Sequence, residues 1–197
     1  MNSTEPLLIP ELPLFPLSSM LMPDGVLQLK IFEQRYLTLT KECLRDNKPF
    51  GVCLIHEGAE VGLPATTHET GCLGYISDWE IPHTGIFHLR VKGGARFRLL
   101  HKTIDASGLQ RGHVECWAEP QRGENDTLLQ SLLQKIIQTL GQDFLIQPLK
   151  YEDPVWVAYR LAELLPVPNE FRQQILQAHH SDAMSEIIRD YLKSSKY

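Results

Sequence analysis

The sequence predicts an α+β fold in which a strand-rich first part is followed by a helical second part. Up to residue 119, short apolar runs are separated by glycine, proline and histidine, which is typical of strands joined by turns. After residue 120, apolar residues recur at helical spacing almost to the end of the chain. We therefore predict a β-rich subdomain over residues 1–119 and an α-helical bundle subdomain over residues 120–197.

Composition and charge limit the class of protein. The chain has 197 residues, of which 43% are hydrophobic and 22% are charged, so it is long enough and apolar enough for a globular core. Its formal net charge of -5 argues against a molecule that binds nucleic acid by neutralising phosphates over its whole surface. This negative net charge still allows a basic patch on one face of the protein.

The cysteines and the start of the chain indicate where the protein works. Cys43, Cys53, Cys72 and Cys116 are widely separated and form no C-x-x-C pair, which favours buried thiols in a reducing compartment. The first residues carry no positively charged segment, and prolines interrupt the apolar residues behind them. We expect no signal peptide and no membrane span, and hence a cytoplasmic protein.

The passage from residue 12 to residue 36 is predicted to form a strand, a turn, a second short strand and a helix. Pro13 and Pro16 each remove a backbone N–H, which predicts that the first strand lies at a sheet edge. The helix is predicted over residues 31–46, with Glu33, Arg35 and Tyr36 in its first turn. Further strands are predicted at residues 50–55, 72–79 and 112–118, and a loop at 58–68.

Residues 87–100 alternate between apolar and polar side chains, and the alternation keeps its parity across Gly93-Gly94. A tight hairpin at these glycines would place apolar and charged residues on a common face, so we predict one long strand that bends there. Its polar set has no acid: Arg90, Lys92, Arg96, Arg98 and, further on, Lys102. Two readings stay open for this set: a face for an anionic partner such as RNA, or a solvated face whose cations pair with acids such as Glu115.

The second part of the chain predicts about four helices. Asn125 and Asp126 are candidate N-caps before a leucine-rich segment. Asp153 precedes Pro154, and an acidic N-cap followed by proline at the first helical position is a start signal. These signals predict a bundle that begins soon after residue 120.

Several short segments of the chain form a recognisable set when taken together. They are Leu12-Pro13-Leu14-Phe15-Pro16, Pro23 with Gly25, Ile31-Phe32-Glu33-Gln34-Arg35-Tyr36, Gly51-Val52, Gly71-Cys72-Leu73-Gly74, Gly94 with Arg96-Phe97-Arg98, and Ala162-Glu163-Leu164-Leu165-Pro166-Val167-Pro168. In order and spacing, over nearly the whole chain, they resemble the Lon N-terminal domain family, also called the Lon substrate-binding domain. Asp24 stands where the family usually has glycine, and Gln34 where it often has proline.

The resemblance implies a PUA-like, six-stranded pseudo-barrel with one inserted helix, followed by the helical bundle. It also implies a bacterial, cytoplasmic, proteolysis-related protein that binds polypeptides, either unfolded or marked for degradation, and works with a protease or chaperone machine. The sequence has no G-x-x-x-x-G-K-[ST] loop for nucleotide phosphates. We therefore expect a stand-alone recognition module without ATPase or protease modules, and not an enzyme.

The candidate peptide-binding residues are Phe15, Phe32, Glu33, Arg35 and Tyr36. Aromatic side chains at the mouth of the barrel would meet exposed apolar segments of clients. The structural alternative is that Glu33 meets the helix dipole and that Phe32 packs on Tyr36 four residues later. We predict no catalytic, cofactor or metal site, because the eight histidines lack ligand spacing and Ser18-Ser19 has no accompanying base.

Overall fold

The computed structural model describes residues 6–82 and 86–194. The chain divides into two compact units between Ala118 and Glu119. The first five residues, on which the expectation about a signal peptide rests, lie outside the described part. In chain order the elements are β1 (Leu8–Leu17), β2 (Val26–Ile31), α1 (Gln34–Asp46), β3 (Phe50–Glu57), β4 (Thr66–Glu80), β5 (Phe87–Ile104), β6 (Gln110–Cys116), α2 (Thr127–Leu140), α3 (Pro154–Leu164), α4 (Asn169–Gln177) and α5 (Ser181–Ser194).

The six strands of the first unit form one sheet in the order β2-β5-β4-β3-β1-β6. The sheet closes on itself because β6 also pairs with β5, so that five strands form a ring and β2 adds to β5 outside it. The mixed α and β architecture with strands first and helices afterwards is confirmed. This closure has the character of a pseudo-barrel. That the fold is PUA-like stays a prediction.

The long bent strand is confirmed, and β5 runs without a break from Phe87 to Ile104. Its register against β4 shifts between Gly93 and Arg96, where β5 carries an extra residue. A bulge of this kind bends a strand and raises its twist. At Gly93 a Cβ would lie 1.9 Å from the Met22 carbonyl oxygen, so only glycine fits this bend.

The prediction that β1 lies at an edge is wrong. It pairs antiparallel with β6 over residues 8–14 and parallel with β3 over residues 14–17, so only Leu14 has partners on both sides. Pro13 is paired only toward β6 and Pro16 only toward β3. A strand that changes partner along its length accommodates two prolines, because each has one side on which no ladder hydrogen bond is needed.

Helix α1 begins later than predicted, since Ile31 still belongs to β2. It ends where expected, at Asp46, with Asn47 in the left-handed conformation that commonly closes a helix. Asp24, at a position where the family usually has glycine, also has a positive φ of 57°. Gln34, where the family often has proline, is the first residue of the helix, which is a favourable position for proline.

The second unit contains four helices among its described residues, as predicted. The Asp126 carboxylate accepts hydrogen bonds from the N–H groups of Leu128 and Leu129 and caps α2. The Asp153 carboxylate caps α3 in the same way, with Pro154 at the start of the helix. No described helix is long and apolar enough to cross a membrane.

Candidate functional site

The first unit contains a groove of about 310 Å³ along β2. Its lining comes from the end of β1, all of β2 except its first residue, the segment that leads into α1 with the first turn of that helix, and the loop between β3 and β4. Four of the five predicted peptide-binding residues lie in it. The lining residues are Phe15, Leu17, Ser19, Leu27, Gln28, Leu29, Lys30, Ile31, Phe32, Glu33, Tyr36, Glu60 and Val61.

The floor of the groove is a pair of stacked aromatic rings. The ring centroids of Phe15 and Tyr36 are 4.0 Å apart, and their planes differ by 15°. Phe50 tilts against the other side of Phe15, with centroids 6.1 Å apart. Phe15 and Tyr36 are both buried, and burial raises the pKa of the Tyr36 phenol, against the opposing charge of Arg35. The floor is therefore apolar and uncharged at neutral pH.

Arg35 is the one candidate that does not line the groove. Its guanidinium lies 4.7 Å from the centre of the Tyr36 ring and pairs with the Glu33 carboxylate at 2.9 Å. It also donates hydrogen bonds to the carbonyls of Glu60 and Gly108, each at 3.4 Å. Arg35 is buried and links α1 to two loops, of which the one with Glu60 lines the groove.

The structural alternative placed Phe32 and Tyr36 at helical spacing, and α1 begins too late for that. Phe32 precedes α1, so the four-residue spacing of a helix does not apply to it, and the Tyr36 ring stacks on that of Phe15. The Phe32 side chain is 59% exposed at the rim of the groove. Glu33 is likewise not in the first helical turn. It is the N-cap residue, with extended backbone and no side-chain capping hydrogen bond, and its carboxylate pairs with Arg35.

Sequence reasoning missed the part of the groove that comes from the loop between β3 and β4. Val61 is 57% exposed there and adds apolar surface opposite β2. The Glu60 carboxylate accepts a hydrogen bond of 2.6 Å from the backbone N–H of Ser18, just beyond β1. The sequence signal for this side of the groove was the presence of two apolar residues, Val61 and Leu63, in a short loop that also contains glycines. Both are exposed in the structure.

Four of the five cations, Arg90, Lys92, Arg96 and Arg98, are predicted to share the solvent face of β5, and this prediction is wrong for Arg96. Arg96 is only 2% exposed, because the segment after β6 covers it. Its guanidinium lies 5.4 Å from the centre of the Trp117 ring and donates to the Ala118 carbonyl at 3.0 Å. Arg96 therefore does not face solvent beside the other cations.

The other three members stay at least partly accessible to solvent. Lys92 lies 3.7 Å from the Asp24 carboxylate, and Arg98 lies 3.9 Å from that of Glu69. Arg90 completes the set. An anionic-partner face of Arg90, Lys92 and Arg98 stays a prediction.

The cysteine and histidine side chains of the described part form no metal-binding cluster. Within residues 6–82 and 86–194, no group of three or more histidine, cysteine, aspartate or glutamate side chains is placed to hold a metal ion. All four cysteines are free; Cys43, Cys53 and Cys72 are buried and Cys116 is half-buried. Burial raises the pKa of the Cys43 and Cys53 thiols to about 12.

Two solved structures are similar to this chain over most of its length. A Lon N-terminal domain protein from Xanthomonas campestris matches with a TM-score of 0.77 and 30% sequence identity, covering 92% of this chain and 98% of that one. The N-terminal domain of a Lon protease from the Mycobacterium avium complex matches in fold, with a TM-score of 0.63, 13% identity and coverages of 91% and 96%. A search of curated proteins finds no match.

A family model gives the same result from the sequence. The model described as the ATP-dependent protease La (LON) substrate-binding domain matches residues 11–194, which is nearly the whole chain. The match includes both compact units and every strand and helix from the middle of β1 onward. The chain therefore belongs to the Lon substrate-binding domain family.

Proposed function

We propose that this protein binds polypeptides through the groove beside β2, as a recognition module that does no chemistry itself. The single observation that carries the proposal is the groove, which brings Phe15, Phe32, Glu33 and Tyr36 together around an apolar floor. Ligand sites combine apolar surface with a few polar groups in this way. The family supports the same reading, since the substrates of a protease are polypeptides.

Phe32 and Val61 favour clients that are unfolded. Each side chain is more than half exposed, and together they place apolar surface at the border of the groove. Folded proteins bury the apolar side chains that would cover this surface, whereas unfolded chains present them. We propose unfolded or degradation-marked polypeptides in the cytoplasm as the clients, and a protease or chaperone machine as the partner that receives them.

The test compares a permanently unfolded protein with its folded form. Fluorescence anisotropy with labelled, reduced and alkylated lactalbumin should show saturable binding, and native lactalbumin should show none. Phe32→Ala should weaken this binding about tenfold, because covering a half-exposed phenylalanine contributes about 1.5 kcal/mol. Absence of binding to the unfolded protein at high micromolar concentration would overturn the proposal.

Phe144→Ala is the matched control. Phe144 is also partly exposed, at 38%, but it lies in the second unit and does not line the groove. The control should bind unfolded lactalbumin as the unaltered protein does. Equal weakening by both substitutions would show that binding does not depend on the groove.

A further inference from the structure

The strands of the first unit leave one position beside β2 without a partner strand. Both β2 and β6 pair with β5 on the edge opposite β4: β2 over residues 87–92 and β6 over residues 97–104. They therefore follow one another along that edge. β6 also pairs with β1, whereas within residues 6–82 and 86–194 β2 pairs only with β5, so one long edge of β2 has no neighbour among the described strands.

The end of β1 has a matching unpaired edge. Residues 15–17 pair with β3 on one side, and on the other side β6 reaches only as far as Leu14. Phe15 and Leu17 line the groove, and so does β2. The groove thus lies between two strand edges, outside the closed ring, at the place where one more strand would connect β2 with the end of β1.

The lining of the groove shows that it follows the edge of β2 rather than one of its faces. Five consecutive residues, 27–31, line it. Because successive side chains of a strand point to opposite faces, a cavity over one face would be lined by every second residue. Consecutive lining residues indicate that the groove runs along the main chain itself.

We propose that a client segment binds in this groove as an added strand, hydrogen-bonded to the free edge of β2. This inference rests on the proposed function and specifies its ligand: an extended polypeptide segment with an apolar side chain at every second residue. An edge strand presents unpaired N–H and C=O groups at alternate residues, which an extended peptide satisfies. Five residues of β2 span about 17 Å, which matches a segment of five or six residues.

The carboxylates around the groove are already paired, and its lining offers apolar surface to a client segment. The Glu33 carboxylate is already paired with Arg35, and the Glu60 carboxylate already accepts the Ser18 N–H. The exposed side chains of the lining are apolar Phe32 and Val61 and polar Ser19, Gln28 and Lys30, and Leu27 is half-buried. Apolar side chains of the client would cover Phe32, Val61 and Leu27, while the main chain supplies the sequence-independent part of the binding.

The experiment uses N-methylated forms of a labelled decapeptide in which leucine or valine alternates with threonine or lysine. One form is methylated at the N–H groups of the apolar residues and the other at those of the polar residues. Strand addition requires the N–H groups of one parity only, and a slip by one residue would turn the apolar side chains away from the groove. We expect one form to bind at least tenfold more weakly than the parent peptide, and the other less than threefold more weakly.

The outcomes separate the two proposals. Equal affinities for the two methylated forms, with the parent peptide still bound, would overturn strand addition and leave polypeptide binding intact. If neither the parent peptide nor unfolded lactalbumin bound, the proposed function itself would fail. Sedimentation tests whether the chain instead associates with itself through the β2 edge. Self-association that the parent peptide does not reverse would overturn strand addition by a client, because a second copy of the chain would then occupy the groove.

Amide hydrogen exchange read by NMR gives an independent readout on the protein side. Binding of the decapeptide should slow exchange at alternate residues of 27–31, because only the N–H groups that face away from β5 gain a partner. The Phe144→Ala variant should show the same alternating protection, because Phe144 does not line the groove. Protection spread over the whole strand without alternation, or absent from it while the peptide is bound, would contradict the proposal.

Discussion

The ring of Tyr36 lies flat on the ring of Phe15, with their centroids 4.0 Å apart. The two residues come from different elements, since Phe15 is near the end of β1 and Tyr36 is in the first turn of α1. The stack therefore ties the inserted helix to the sheet and forms the floor of the groove at the same time. Substitutions here are expected to change stability as well as binding.

Tyr36→Ala should lower the free energy of unfolding by about 3 kcal/mol, because it removes a buried ring and leaves a cavity against Phe15. Tyr36→Phe keeps the stacked ring and should cost less than about 1 kcal/mol. Phe32→Ala removes an exposed ring and should change stability by no more than about 0.5 kcal/mol. Urea denaturation measures all three. A loss for Tyr36→Ala no greater than that for Phe32→Ala would contradict the role of the stack.

Gly93→Ala should destabilise the protein by about 3 kcal/mol, since the new methyl group would meet the carbonyl of Met22 and the backbone must move. Gly93 also donates a hydrogen bond to the Gly25 carbonyl and accepts one from the Asp24 N–H. The control is Gly62→Ala, where the φ of +99° strains the new residue but no atom lies within 4 Å. It should cost about 1 kcal/mol in the same denaturation experiment. Equal losses would show that the close approach at Gly93 is unimportant.

Arg35→Met should cost about 2 kcal/mol, because it leaves the Glu33 carboxylate partly buried without its guanidinium. The matched control is Arg45→Met, which removes an exposed pair with Asp46 in the same helix. Exposed pairs contribute little, so the control should change stability by less than about 0.5 kcal/mol. Thermal unfolding followed by circular dichroism compares the two. Indistinguishable transitions would mean that Arg35 does not support the groove.

The sequence was sufficient for features that depend on neighbouring residues. The unchanged parity across Gly93-Gly94 predicts the single bent strand β5, and Asp153 before Pro154 predicts the start of α3. Both signals are local: one is a side-chain period and the other is a cap. Resemblance to a known family supplied what such signals lack, namely the number of strands and the inserted helix.

Features that depend on distant segments were beyond local patterns. Arg96 occupies a polar position of β5, yet Trp117 and Ala118, some twenty residues later, cover it. Pro13 and Pro16 indicate an edge, yet β1 is interior because it exchanges partners at Leu14. In each case the deciding contact joins segments that are far apart in the sequence. The local pattern was therefore interpreted correctly, but the position that it predicted in the fold was wrong.

The buried thiols give a last prediction, on pH and reactivity. Burial raises the pKa of Cys43 and Cys53 from the ordinary 9.0 to about 12, so both stay protonated in the folded protein at pH 8. Since the thiolate is the nucleophile, iodoacetamide at pH 8 should leave both unmodified in the native protein and alkylate all four cysteines in concentrated urea. Mass spectrometry of the digested protein measures each site.

The same raised pKa values make stability depend on alkaline pH. A folded-state pKa above the unfolded one gives stability that is fully present below pH 9 and is lost as the pH rises toward 12. Cys53→Ala removes one such group and should reduce the steepness of that loss in urea denaturation series between pH 8 and about 10.5. Native alkylation of Cys53 as fast as that of half-buried Cys116 would show that the Cys53 thiol is not shielded by the core.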